Sequence, residues 1–174
     1  MVNQDFLSSS KNPNWETPRR DFERINKVFN FQLDAAATKE NTKCVNFITP
    51  EMDAFKVDWN PSPWFLNPPW GKEYEKATGR SMGDWVRRIK SQVECLRYGV
   101  LLCAARSDTK WWQGAASFAN YILFPEGRIA YIDTNRTKAS QPTFPSCYMI
   151  YFPELLINQG ITLRRIGKLV KVIR

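Results

Sequence analysis

Val100-Leu101-Leu102-Cys103-Ala104-Ala105 is an unbroken apolar run with no polar residue on either side-chain face. Successive strand side chains point to opposite faces, so such a run belongs to a strand covered on both sides, as in parallel sheets flanked by helices. Upstream, Asp84 is placed to cap a helix whose inner face is Trp85, Ile89, Val93 and Leu96, and Gly99 to end it. Downstream, residues 109–119 form the next helical pattern, with Trp112, Ala115, Ala116 and Ala119 on related faces. Strands are then expected at Tyr121–Phe124, Arg128–Ile132 and Cys147–Phe152.

Towards the N-terminus, Pro63-Trp64-Phe65-Leu66 is a short strand stopped by Asn67-Pro68-Pro69-Trp70, because proline cannot donate to a ladder. Cys44 to Ile48 suits another strand. Phe31-Gln32-Leu33-Asp34-Ala35-Ala36-Ala37 suits one that ends in an acid and small residues. Before it, Thr17 reads as an N-cap and Pro18 as the first position of a helix over 18–29, with Phe22, Ile25, Val28 and Phe29 at helical spacing. Gly71 to Gly83 reads as a mobile loop. Residues 161–174 fit either a helix or, over the last six, a strand. The pattern predicts an α/β sandwich with a mostly parallel sheet, in which Asp34, Asn67 and Arg106 each follow a strand and line one crevice beyond the carboxyl ends.

The 174 residues carry 25 Lys+Arg and 17 Asp+Glu, a formal charge of +8, with 43% hydrophobic and 24% charged residues. That composition is ordinary for one globular domain and unlike a disordered, collagen-like or coiled-coil chain. Its apolar runs fall far short of the ~20 residues a membrane-spanning helix needs. The first fourteen residues do not read as a secretory signal, so the cytoplasm is the expected compartment. The expected organisation is a flexible arm over 1–14, one domain over 15–160 and a basic tail over 161–174. There are no histidines, which excludes His-based triads and His-ligated metals. Cys44, Cys95, Cys103 and Cys147 form no C-x-x-C pair, so no metal site is expected. Five of the net charges, Arg164, Arg165, Lys168, Lys171 and Arg174, lie in the last fourteen residues with no acid among them. Such a surface suits a polyanion such as nucleic acid, or serves only solubility.

Asn67-Pro68-Pro69-Trp70 carries the chemistry. Paired prolines leave carbonyls that no ladder uses, asparagine adds an amide oxygen and tryptophan a flat face. Together they suit a planar amino group, whose lone pair is delocalised into the neighbouring π system. Accepting both N–H protons, at the Asn67 side chain and the Pro68 carbonyl, favours the pyramidal form that attacks an electrophile.

Asn-Pro-Pro-aromatic after a strand resembles the catalytic motif of S-adenosylmethionine-dependent amino methyltransferases. Several ordered stretches extend the likeness: Trp15-Glu16-Thr17-Pro18, Phe29 to Ala37, Asn41-Thr42-Lys43-Cys44, Phe47-Ile48-Thr49, Trp64 to Trp70, Arg106 to Trp112, Gly127-Arg128-Ile129 and Phe144-Pro145-Ser146. Over roughly residues 15–152 the chain resembles the phage-type DNA N6-adenine methyltransferase family. The resemblance implies a Rossmann-like class I methyltransferase sandwich. It also implies S-adenosylmethionine as cofactor, S-adenosylhomocysteine as product, DNA as partner, and an adenine flipped out of the duplex.

By the same resemblance, Thr17 and Pro18 meet the cofactor's carboxylate, or form an ordinary helix cap. Asp34, followed by Ala35, receives its amine, or is a strand-end turn residue. Asp53, with Glu51 as competitor, meets its adenine or ribose. Asn41 is similarly placed, though asparagine in a turn is common. Asn67, Pro68, Pro69 and Trp70 form the catalytic motif. Arg106, Asp108, Lys110, Trp111 and Arg128 are expected to face the substrate, with Trp112 assigned to the core. Three departures stand out. Trp70 replaces a common Tyr or Phe, and no glycine follows Asp34. Ala37 and Pro63 lie only 26 positions apart, too few for two further βα units. The fold is therefore expected to be pared down, with sequence preference left to the 71–83 loop, the 134–145 segment or the basic tail. The 71–83 loop, with Lys72, Lys76 and Arg80, is expected either to be a lid ordered by nucleic acid or to be a disordered loop. Competing functions are an amino methyltransferase acting on RNA adenine or cytosine N4, and a non-catalytic nucleic-acid-binding module. Phage or prophage origin and protection from restriction accompany the resemblance.

Overall fold

A computed structural model describes residues 15–133 and 144–173. The expected arm, residues 134–143 and Arg174 lie outside the described residues. In chain order the elements are β1 (Trp15–Glu16), α1 (Arg19–Phe29), β2 (Leu33–Asp34), β3 (Asn46–Phe47), β4 (Trp64–Leu66), α2 (Lys72–Thr78) and α3 (Met82–Glu94). There follow β5 (Gly99–Ala104), α4 (Lys110–Phe118), β6 (Tyr121–Pro125), β7 (Ile132–Asp133), β8 (Ser146–Tyr151), α5 (Ile157–Arg164) and β9 (Gly167–Lys171).

The apolar run at residue 100 is the buried heart of the sheet. Every residue of β5 is buried. Val100 and Leu102 pack with α1 and α5 on one face, and Leu101 and Cys103 with α3 and α4 on the other. Burying Val100, Leu101 and Leu102 stabilises the fold by roughly 1.5–3 kcal/mol each. The seven-stranded sheet has the order β3-β2-β4-β5-β8-β6-β9. β3, β2, β4 and β5 pair in parallel, whereas β8 is antiparallel to both β5 and β6, and β9 is antiparallel to β6. Five strands therefore share one direction, and the sheet is the mostly parallel, Rossmann-like sandwich expected.

Between β2 and β4 the chain forms only the short β3 and no α-helix, which is the pared-down region. Gly99 opens β5 beneath Trp64, where a Cβ would stand 2.1 Å from the indole Cδ2. Trp64 Nε1 donates to the Arg97 carbonyl at 2.9 Å, so β4 is locked onto the approach to β5.

Several local expectations need correction. Thr17 does not cap α1: Pro18 occupies the N-cap position and no side-chain cap bond forms. Residues 71–83 are not a loop. Lys72 to Thr78 are mostly good helix formers, and Gly79, at φ +71°, ends α2 in the left-handed conformation. Ser81 caps α3, with Asp84 completing a capping box three residues in. That helix stops at Glu94, and Leu96 lies exposed at positive φ rather than on the inner face. Regular pairing near Arg128 is confined to Ile132–Asp133, because Gly127, at φ +76°, turns the chain away from β6. In the ambiguous C-terminal stretch, Arg164 ends α5, while Gly167 to Lys171 form an edge strand of the main sheet.

Candidate active site

Asp34 ends β2 and Asn67 follows β4, neighbouring parallel strands, so both side chains emerge at the carboxyl edge of the sheet. A cavity of about 240 Å³ opens there. Thr17, Asp34, Ala35, Asn41, Asp53, Asn67, Pro68 and Pro69 all line it. Pro18 and Glu51 do not line it; Glu51 is exposed in a turn.

Asn67 Nδ2 donates to the Trp15 carbonyl at 2.8 Å. A carbonyl only accepts, so this bond settles which amide atom is nitrogen and leaves Oδ1 as the acceptor available to a ligand. β1 is held for this purpose by pairing with β7, Trp15 opposite Asp133. Asp34 is 4% exposed. Burial pushes its carboxyl up to about 6, against the opposing effect of the Lys43 backbone N–H, which donates to Oδ2 at 3.0 Å. The Lys43 side chain is itself only 6% exposed, with its ammonium bonded to Glu16 and, at 2.9 Å, to the Asn41 carbonyl. Nearby, Thr17 Oγ1 is buried with no hydrogen-bond partner among the described residues. Asn41 Oδ1 accepts the Thr38 N–H at 2.8 Å, fixing the turn that carries Lys43.

The opposite end of the cavity is aromatic. Phe55 and Trp85 have ring centroids 4.5 Å apart, and the Arg80 guanidinium lies 4.2 Å over the Phe55 ring. Arg80 also grips Asp53 through two bonds, at 2.7 and 2.8 Å, which holds that carboxyl well below the usual range. The α2–α3 junction is thereby fastened over the cavity.

Arg106 does not share this crevice. With Trp70, Lys110 and Trp111 it lines a second, adjoining groove of about 810 Å³. The two hollows divide the motif between them, Asn67, Pro68 and Pro69 lining the cavity and Trp70 the groove. Trp70 meets Phe144 edge to face, with centroids 5.1 Å apart, and the Arg106 guanidinium lies over the Phe144 ring, 5.4 Å from its centroid. Asp108 is exposed in the turn before α4 and caps nothing, since Thr109 holds the N-cap position; Arg128 is exposed beyond β6. Neither Asp108 nor Arg128 lines the cavity or the groove. Trp112 is buried in the core, as expected.

Sequence reasoning assigned no role at the site to Glu16, Lys43, Phe55, Trp85 or Phe144, and took Arg80 only as part of the 71–83 lid or loop, whereas it grips Asp53 at the cavity. Glu16, Lys43 and Phe144 sit inside motifs that carried the resemblance, whereas Arg80 and Trp85 gave no signal beyond a loop and a core helix.

The family model described as DNA N-6-adenine-methyltransferase (Dam) matches residues 5–168, nearly the whole chain. The chain belongs to this DNA N-6-adenine-methyltransferase family. Within the family it is 28% identical over 159 residues to the DNA N-6-adenine-methyltransferase of Haemophilus phage HP1 (strain HP1c1), covering 88% of this chain and 87% of that protein. It is 27% identical over 143 residues to the DNA N-6-adenine-methyltransferase of Escherichia phage T1, covering 72% of this chain and 56% of that protein. The match spans the Asn67 motif, Asp34 and the C-terminal α5. Among the described residues of this family member no helix is long and apolar enough to cross a membrane, and no cluster of acidic or cysteine side chains could hold a metal ion.

Proposed function

We propose that this protein is an adenine-specific DNA methyltransferase that uses S-adenosylmethionine to methylate N6 of a flipped-out adenine, acting on DNA in the cytoplasm of a phage's host. The observation that carries the reading is the Asn67 amide, turned by the Trp15 carbonyl so that its oxygen is left to accept from a substrate at the end of β4.

The cavity residues fit the cofactor. The buried Thr17 hydroxyl, unpartnered among the described residues, and the third N–H of Lys43 suit its carboxylate. Asp34 suits its ammonium group, and at neutral pH a carboxyl titrating at about 6 is mostly ionised. The methyl groups of Ala35, Ala36 and Ala37 form part of the wall where glycines are commoner, and Phe55 and Trp85 provide flat surfaces for a purine. Asp53, braced by Arg80, keeps lone pairs for ribose hydroxyls. When bound, S-adenosylmethionine supplies a methyl group made electrophilic by positively charged sulfur.

The protein's own contribution is positional. Asn67 Oδ1 and the Pro68 carbonyl accept the two amine hydrogens and localise the nitrogen lone pair. Trp70, beside the second groove, offers a stacking face worth roughly 1–3 kcal/mol, which offsets much of the cost of unstacking the base. Both acceptors follow a strand whose three residues are buried, so they are held without reorganisation at the moment of transfer.

The direct test is methyl transfer from labelled S-adenosylmethionine to unmethylated DNA, followed by nucleoside analysis. N6-methyladenine is expected from the native protein, with kcat lowered about 100-fold or more by Asn67→Ala. Label appearing on cytosine, on RNA alone, or equally with the variant would refute the assignment.

A further inference from the structure

Strand directions place a set of cations along one edge of the molecule. Arg106 and Lys110 follow β5 at its carboxyl end. β6 runs the same way, and Arg128 lies just beyond its end. β9 runs oppositely, with Gly167 opposite Pro125, so its first residues return to that same edge. The Glu126 N–H donates to the Ile166 carbonyl at 3.0 Å, which ties the approach to β9 against the turn that carries Arg128. Arg165 and Lys168 flank this point, both exposed. The stretches 106–110, 126–133 and 165–168 hold the acids Asp108, Glu126 and Asp133 against the cations Arg106, Lys110, Arg128, Arg165 and Lys168, so cations prevail. The segment 126–133 then runs back to β1 beside Asn67, which makes the edge continuous with the catalytic motif.

We propose that duplex DNA on one side of the target adenine lies along this carboxyl edge, with Arg165 and Lys168 neutralising phosphates at its far end. The proposal rests on the methyltransferase reading and adds where the flanking duplex goes. β9 is four strand spacings from β4, which at about 4.8 Å each is about 19 Å. At 3.4 Å per base pair that reach corresponds to about six base pairs. Among the described residues the opposite flank meets no equivalent extension, because on that side the sheet ends after β2 and the short β3. The footprint is accordingly lopsided. Phosphate contacts carry no sequence information directly, so Arg165 and Lys168 set affinity and register rather than the target sequence.

The test uses the full chain and the double variant Arg165→Gln, Lys168→Gln, both at exposed positions, with thermal melting as a check on folding. Losing two phosphate contacts should lower the slope of log affinity against log salt by about 2. KM for DNA should rise, with kcat and S-adenosylmethionine affinity unchanged. Shortening the duplex to fewer than about five base pairs on one side should weaken the native protein but not the variant. Shortening the other side should affect both equally. A variant that methylates DNA with native salt slope and native flank dependence would overturn the edge path while leaving the methyltransferase reading intact. A native protein that binds the duplex but transfers no methyl group would overturn that reading and this proposal together.

Discussion

Thr17→Val is the substitution that separates a ligand-binding hydroxyl from a structural one. Threonine and valine have nearly the same shape, so the change removes a polar atom without opening a cavity. Thr17 is 3% exposed and its Oγ1 has no partner among the described residues. A buried hydroxyl left unsatisfied costs about 1–3 kcal/mol, and the methyl group of valine does not incur that penalty. The free protein should therefore become more stable by about 1 kcal/mol, which for a domain of this size raises Tm by about 2–4 °C. S-adenosylmethionine should bind more weakly, because a hydrogen bond to a charged group contributes about 1.5–3 kcal/mol. That range corresponds to about a 10- to 150-fold rise in Kd. Differential scanning calorimetry of the free protein and isothermal titration with S-adenosylmethionine read the two effects separately, and Thr17→Ser should recover most of the binding. A lower Tm together with unchanged affinity would refute the reasoning, since the hydroxyl would then serve the fold and face no ligand.

Asp34 couples the same site to pH. Its carboxyl titrates at about 6 in the folded protein against 3.8 ordinarily, so the fold favours the neutral form. The stabilising contribution is complete below about pH 3.8 and is lost as pH rises through about 6, a change of up to about 3 kcal/mol. Asp34→Asn should remove that slope from urea-melting curves and stabilise the free protein at neutral pH. Cofactor affinity of the native protein should tighten about tenfold per pH unit up to about 6 and level off above it, whereas a pH-independent Kd would show that the ionised carboxylate is not required. Gly99→Ala tests the packing instead. Its Cβ would lie 2.1 Å from the Trp64 ring and 2.2 Å from the Trp64 carbonyl oxygen, forcing β4 and β5 apart at a cost of at least about 1–3 kcal/mol. A melting temperature equal to the native one would show that the two strands have slack there.

The core-facing elements were legible because periodicity reports burial directly. The all-apolar run of β5 and the spacing of Phe22, Ile25, Val28 and Phe29 on α1 each meet a packed face, and these contacts hold the sandwich together. Residues 71–83 were misread because glycines and charges resemble a loop, yet α2 buries none of its residues and is stopped by Gly79 rather than shaped by a core. Asp34 and Asn67 were found together because both follow parallel strands, and parallel strands deliver their ends to one edge. Arg106 follows β5 in the same way but lines the adjoining groove with Trp70.

What the sequence by itself determined is the main-sheet strands β2, β3, β4, β5, β6 and β8 and the chemistry at the ends of two of them: an amide, a proline carbonyl and an indole after β4, and an acid after β2. These follow from local rules, since side-chain type and alternation act within a few residues. Only the tertiary structure decided the partners. It joined Trp15 to Asn67 across 52 positions, Lys43 to Glu16 across 27 and Arg80 to Asp53 across 27, and it buried the hydroxyl of the cavity-lining Thr17 without a partner among the described residues. Contacts of that range depend on strand order, and strand order depends on how two helical layers cover the sheet, which no short stretch of residues encodes.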